Sequence, residues 1–252
     1  MSRVALAALA SAGALAGLLA PAAAAAEREP PQVDARAWTV IDAGDGDVLG
    51  GHDASAELSI ASATKLMTAY VGMRELPLSK KVTAPPYTAV GPESLLGLEA
   101  GERISVLDLL YSLILASAND GAVALAEASS GSVDRFVEEM NRTAAGLGLA
   151  ESSYANPIGL DAPGNHSSAR DLATLARRLL ESRVFRRIAD TESRTIETDR
   201  DVHRIETRNE LLREVGWIDG IKTGYTLDAG YVLVGSGTRK GVTLISVILG
   251  AP

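Results

Sequence analysis

Cysteine is absent from all 252 residues, which excludes disulfides, thiol nucleophiles, thiolate metal sites and a lipid-modified cysteine. Aromatic residues make up only 4% of the chain, so its core must be built mostly from Ala, Leu, Val and Ile. Histidine occurs three times, at His52, His166 and His203, and never with His-x-x-x-His spacing. No metal and no cofactor is expected on that basis. No Gly-x-Ser-x-Gly elbow is present, which argues against an α/β-hydrolase triad, and no phosphate-binding P-loop occurs. Positive charge is in deficit, with 24 Lys and Arg against 32 Asp and Glu and a net charge of −8. An acidic surface argues against nucleic acid and against polybasic membrane docking.

What is present begins with an apolar run, Val4 to Leu19, behind a weakly positive Met-Ser-Arg start. Pro21 and the alanines 22 to 26 then give an Ala-x-Ala cleavage context before Glu27-Arg28-Glu29. Residues 1–26 read as a secretory signal peptide, and the protein as exported to a cell envelope, periplasmic or extracellular. No stable membrane anchor is expected. Removing the leader takes one arginine with it and leaves a charge of −9.

The mature part, 27–252, reads as one domain. Ala37 to Ile41 alternates as a strand, Asp42 to Asp47 is a Gly/Asp turn, and Val48-Leu49 begins the return strand. The turn lacks the ligand spacing and closing Glu of a calcium loop. Helical periodicity covers Ser62 to Glu75, with Leu66, Ala69, Tyr70 and Met73 on one stripe, then Val106 to Ala128 and Val133 to Leu147. A further helix, about Ser168 to Leu180, opens on Ser168-Ala-Arg-Asp171, which fits a capping box. Beyond Ile188 a polar hairpin is followed by three strand-like runs, 217–223, 230–236 and 242–249. The expected class is α+β: an antiparallel sheet from about 37–61 and 190–252, with a helical part, about 62–189, inserted between them.

Three short patterns occur once each, in one order: Ser62-Ala-Thr-Lys65, Ser117-Ala-Asn119 and Lys222-Thr223-Gly224. Ser62 and Lys65, one helical turn apart, share a face. A serine hydroxyl needs a base beside it, and a lysine can serve only when neutral. Burial and a second cation, Lys222, both favour the neutral amine. Ser117 can relay a proton between Lys65 and a leaving group, and the Asn119 amide can hold a substrate backbone. Gly224, with no side chain, lets a substrate strand approach the edge that carries it. The backbone N–H groups of Ser62 and Tyr225 form a candidate oxyanion hole. Lys222 and Thr223 offer a charge and a hydroxyl to a terminal carboxylate. Of the five lysines, at 65, 80, 81, 222 and 240, only Lys65 has a serine three residues before it.

These patterns, with Ile60-Ala-Ser-Ala-Thr-Lys-Leu-Met-Thr-Ala-Tyr70, Ala155-Asn-Pro-Ile-Gly-Leu160, His166 to Asp171 and Asp219-Gly-Ile-Lys-Thr-Gly-Tyr-Thr226, resemble the serine-type D-alanyl-D-alanine carboxypeptidases, the low-molecular-mass penicillin-binding proteins. The resemblance runs from about Ala37 to Pro252. It implies a β-lactamase/DD-peptidase-like fold and hydrolysis of the terminal D-alanine of peptidoglycan stem peptides through a Ser62 acyl-enzyme. It also implies that β-lactams trap Ser62 as covalent inhibitors. The family pattern continues with an arginine and a helix covering the sheet, whereas this chain stops at Pro252, so a fragment lacking them is expected. The rival readings are a β-lactamase, a non-hydrolytic β-lactam sensor and an inactive scaffold. Glu151 stands five residues before Asn156, one too many for the Glu-x-x-x-Asn loop of a class A β-lactamase, and Ala118 replaces the Asp of Ser-Asp-Asn.

Overall fold

The computed structural model describes residues Gln32–Pro252; the signal-peptide reading of residues 1–26 falls outside them. In chain order the elements begin with β1 (Ala37–Asp42), β2 (Val48–His52), α1 (Thr64–Glu75), β3 (Lys81–Thr83) and β4 (Arg103–Ser105). There follow α2 (Val106–Tyr111), α3 (Asn119–Ser130), α4 (Val133–Leu147), α5 (Ala169–Leu180) and α6 (Arg183–Ala189). The chain closes with β5 (Ser193–Glu197), β6 (Val202–Glu206), α7 (Glu210–Glu214), β7 (Ile218–Thr226), β8 (Gly230–Arg239) and β9 (Val242–Ala251).

The main sheet has the order β2-β1-β9-β8-β7 and is antiparallel throughout. The expected construction from both chain ends therefore holds. The hairpin β5–β6 differs from expectation, since it forms its own two-stranded sheet. Its polar alternation buries only Ile196 and Ile205, too little apolar surface to join a central sheet. In β1 the alternation is strict. Ala37, Thr39 and Ile41 of β1 are buried, opposite Leu249, Val247 and Ile245 of β9, and α5 packs over both strands. Val247 pairs with Val234, and Val234 pairs with Lys222. Directly opposed residues share a face, so one row of side chains carries Thr39, Val247, Val234 and Lys222 into the interior.

Helix α1 is buried on most sides rather than along one stripe: Leu66, Met67 and Ala69 are inaccessible, while Tyr70 and Met73 sit at its margin. It is the central helix, flanked by α3, α4 and α5. A side chain on Gly72 would put its Cβ 2.6 Å from Leu125 Cδ2, which explains why α1 and α3 approach so closely there. The apolar run after Val106 does not continue as one helix. It passes through α2 into a π-helical turn, Ser112–Ala116, and breaks at Ser117, whose φ of 62° is left-handed. Asn119 then restarts the helix as α3.

The capping box at α5 is half formed. Ser168 Oγ accepts from the Asp171 N–H at 3.1 Å. Asp171 does not return the bond, because its carboxylate accepts from the Glu151 N–H and Ser152 Oγ instead. The turn after β1 is a self-bonded loop: Asp42 Oδ1 accepts from the Gly44 N–H and Asp45 Oδ1 from the Asp47 N–H.

Candidate active site

Ser62 lies in a single 3₁₀ turn, Ala61–Ala63, that leads directly into α1. Lys65 is thus on the first turn of α1, and its Nζ is 3.1 Å from Ser62 Oγ. The turn is wedged from two sides. A Cβ on Gly224 would lie 3.0 Å from the Ser62 backbone nitrogen, and one on Gly159 only 2.1 Å from the Ala61 carbonyl oxygen. Only glycine fits at 159, where the φ of +88° requires it as well, while a Cβ at 224 would crowd the turn by a few tenths of an ångström.

Lys65 is inaccessible to solvent, yet it forms no ion pair among the described residues. Its second partner is the carbonyl of Ile158, in a loop that Asn156 holds by accepting from the Ile158 and Gly159 N–H groups and donating to Leu160 O. Thr68 Oγ1 ties the same loop to α1 through Pro157 O. Burial holds the Lys65 amine well below its ordinary pKa, and the nearby Lys222 and Arg208 push the same way, while Glu93 and Asp120 oppose them. A neutral amine with one N–H given to a carbonyl has its lone pair free for the Ser62 hydroxyl. That is the arrangement a general base requires.

Lys222 is buried at the middle of β7 and donates to Thr223 O at 2.7 Å. Burial, then Arg208, lowers its pKa from 10.5 to about 7. Gly224, two residues on, faces the same side as Lys222, while β7 forms the free edge of the sheet. Ser62, Ser117, Thr223, Gly224 and Tyr225 line one cleft of about 980 Å³. The structure thus brings together Ser62, Lys65, Ser117, Asn119, Lys222, Thr223, Gly224 and Tyr225 from three separate parts of the sequence. One expected link is not made: Ser117 Oγ has no hydrogen bond to either lysine among the described residues.

Three contributors lay outside the motifs. Arg208 lines the cleft, with its Nε on Ala116 O at 3.0 Å. Ile158 accepts from Lys65 by its backbone, which no side-chain pattern signals. Glu93 reaches Asn119, its Oε2 accepting from Nδ2 at 2.6 Å. Glu151 is not among the residues lining the cleft. Each histidine stands beside a single carboxylate at 3.6 Å: His52 by Asp53, His166 by Glu57 and His203 by Glu102.

Residues 23–252 match the family model described as D-alanyl-D-alanine carboxypeptidase. The chain belongs to that family. It is 39% identical to the D-alanyl-D-alanine carboxypeptidase DacC of Escherichia coli K12 across 96% of this chain and 64% of DacC. It is 35% identical to DacF of Bacillus subtilis 168 across 86% of this chain and 58% of DacF. The chain therefore spans less than two thirds of the length of these curated relatives. Among solved structures, a D-alanyl-D-alanine carboxypeptidase from Mycobacterium tuberculosis superposes with a TM-score of 0.85 at 32% identity, covering 90% of this chain and 87% of the other. The Streptomyces K15 DD-transpeptidase gives 0.83 at 30% identity, covering 88% and 91%. These matches bear out the family resemblance and the sheet-plus-helices fold.

Proposed function

We propose that this chain removes the terminal D-alanine from peptidoglycan stem peptides through an acyl-enzyme on Ser62. The observation that carries the proposal is a buried, deprotonation-prone lysine 3.1 Å from a cleft-lining serine, set against a glycine on a free strand edge. In this reading Lys65 takes the Ser62 proton as Oγ attacks the penultimate carbonyl. The oxyanion is met by the Ser62 and Tyr225 N–H groups. Collapse breaks the peptide bond, and the D-alanine amine leaves with a proton delivered through Ser117 from Lys65. Water then attacks the ester, Lys65 again takes the proton, and Ser62 is regenerated.

Substrate selection fits the charges. The substrate's carboxylate is the only charge an exopeptidase must recognise at the leaving residue; Thr223 and Arg208 of the cleft lining supply a hydroxyl and a cation, and the buried Lys222 beside Thr223 adds a second charge when protonated. Asn119 holds the peptide backbone. β-Lactams would acylate the same serine. The absence of Glu151 from the cleft lining disfavours a class A β-lactamase. The signal-like residues 1–26 support export, with the enzyme acting in the cell envelope; among the described residues no helix is long and apolar enough to cross a membrane.

The test follows D-alanine release from a D-Ala-D-Ala peptide alongside turnover of a chromogenic cephalosporin. Release with slow cephalosporin turnover is expected. Rapid cephalosporin turnover without release would turn the assignment to a β-lactamase, and stable acylation without release to a sensor.

A further inference from the structure

The segment 93–98 lies outside every motif, yet it is strapped to the turn that carries Ser117 and Asn119. The Asn119 N–H donates to Ser94 O at 2.7 Å. The Asp120 carboxylate accepts from the N–H groups of Leu96, Gly97 and Leu98 at 2.9, 2.7 and 2.9 Å. This strap sets Glu93 at the cleft wall, between Pro92 and Ser94. Its Oε1 accepts from the Val90 N–H at 2.8 Å, and its Oε2 accepts from Tyr87 Oη and Asn119 Nδ2.

That set of partners fixes an amide that would otherwise be ambiguous. An ionised carboxylate can only accept, so the Asn119 group facing it must be Nδ2. Asn119 Oδ1 is then turned away and has no partner among the described residues, which leaves it available to accept a substrate peptide N–H. We infer that Glu93 is a positioning residue of the active site, holding the Asn119 amide in its substrate-accepting orientation and keeping a negative charge opposite Lys65. The inference rests on the proposed acyl-transfer function.

Glu93 stays ionised: burial opposes its charge, but the bonds from Asn119, Tyr87 and Val90, and the Lys65 charge, hold its carboxyl below the usual range. The groups facing Lys65 are Lys222 and Arg208, which favour the neutral amine, and Glu93 and Asp120, which favour the ammonium. Asp120 is engaged by backbone N–H groups, so Glu93 is the carboxylate whose loss can be tested without undoing the strap. Neutralising it lowers the Lys65 pKa, and the acid limb of acylation, which rises as Lys65 loses its proton, moves to lower pH.

Two variants separate the roles. Glu93→Gln keeps the shape but has one acceptor for two sites, so both amide orientation and charge are disturbed. Glu93→Asp keeps the charge but shortens the reach to Asn119. Acylation by a fluorescent penicillin is measured across pH, with melting temperature as the check on folding. The Gln variant is expected to lower the plateau rate about tenfold to a hundredfold, the scale of a misplaced contact, and to move the acid limb to lower pH. The Asp variant is expected to lower the plateau and leave the limb in place. Unchanged plateaus, or a Gln variant whose limb does not move, overturn the inference. Should the Gln protein not fold, an unchanged plateau in the Asp variant overturns it alone. A wild-type protein that penicillin does not acylate sinks the proposed function itself, whereas acylated wild type with indifferent Glu93 variants sinks only this inference.

Discussion

Replacing Lys222 by Met should abolish activity and yet make the protein more stable at neutral pH. The folded-state pKa of Lys222 is about 7 against 10.5 in an exposed lysine. At pH 7 the unfolded side chain is fully protonated while the folded one is about half protonated. The gap withholds about 4 kcal/mol of stability at that pH. Met has a similar length and no charge to bury. Its loss is the hydrogen bond from Nζ to Thr223 O, about 2 kcal/mol when the carbonyl is left without a partner. The net gain is about 2 kcal/mol, or roughly 4–8 °C in melting temperature for a domain of this size.

The pH dependence carries the sign. Between 7 and 10.5 the unfolded chain binds more protons at this site than the folded one, so wild-type stability rises with pH through that window. The variant lacks this contribution. Thermal unfolding followed by circular dichroism from pH 6 to 10.5 should therefore show a Met advantage that shrinks with pH and reverses at about pH 9, where the lysine penalty has fallen to the worth of the lost hydrogen bond. Removing the Lys222 charge also relieves repulsion on Lys65, which reinforces the neutral-pH gain. A melting difference that is constant with pH, or a Met variant less stable at every pH, would refute the picture of a strained buried ammonium.

Two further outcomes follow from the same geometry. The pH profile of kcat/KM should be bell-shaped, rising as Lys65 deprotonates and falling near pH 7 as free Lys222 loses the charge that meets the carboxylate. The alkaline limb of kcat should lie higher, since a bound carboxylate favours the ammonium; identical alkaline limbs in kcat and kcat/KM would contradict the role given to Lys222. Gly159→Ala forces a Cβ to 2.1 Å from the Ala61 carbonyl at a φ of +88°. It should cost about 3 kcal/mol in denaturant unfolding and slow acylation, because Ala61 and the Ile158 carbonyl both move; a neutral effect on both would show that the wedge does not hold the Ser62 turn.

The first strand was legible because its alternation is strict: Thr39 is the one polar residue on the buried face of β1, and it faces Val247. The break at Ser117 was not legible from periodicity, since the stretch from Leu109 to Leu115 is apolar apart from Ser112, and a single serine does not end a helical pattern. What stops the helix is a π turn in which the Ser117 N–H closes onto Ser112 O, with the Ala118 N–H donating to the same carbonyl, and no residue preference announces such a turn. The hairpin β5–β6 was recognised as polar, but its separation from the main sheet depends on how little it buries. In the site, the motif residues were readable because their chemistry lies in their side chains. Ile158 contributes a carbonyl, and Glu93 acts through Asn119, so neither leaves a mark in a single sequence. Arg208 becomes visible only when the hairpin β5–β6 brings it over Ala116.

The central claim is that Ser62 carries the acyl group, and mass spectrometry of the acylated protein tests it most directly. After brief incubation with benzylpenicillin, the intact protein should gain one penicilloyl mass, and peptide mapping should locate it on Ser62, with no adduct on a Ser62→Ala variant. An adduct on another residue, or D-alanine release that survives Ser62→Ala, would contradict the account.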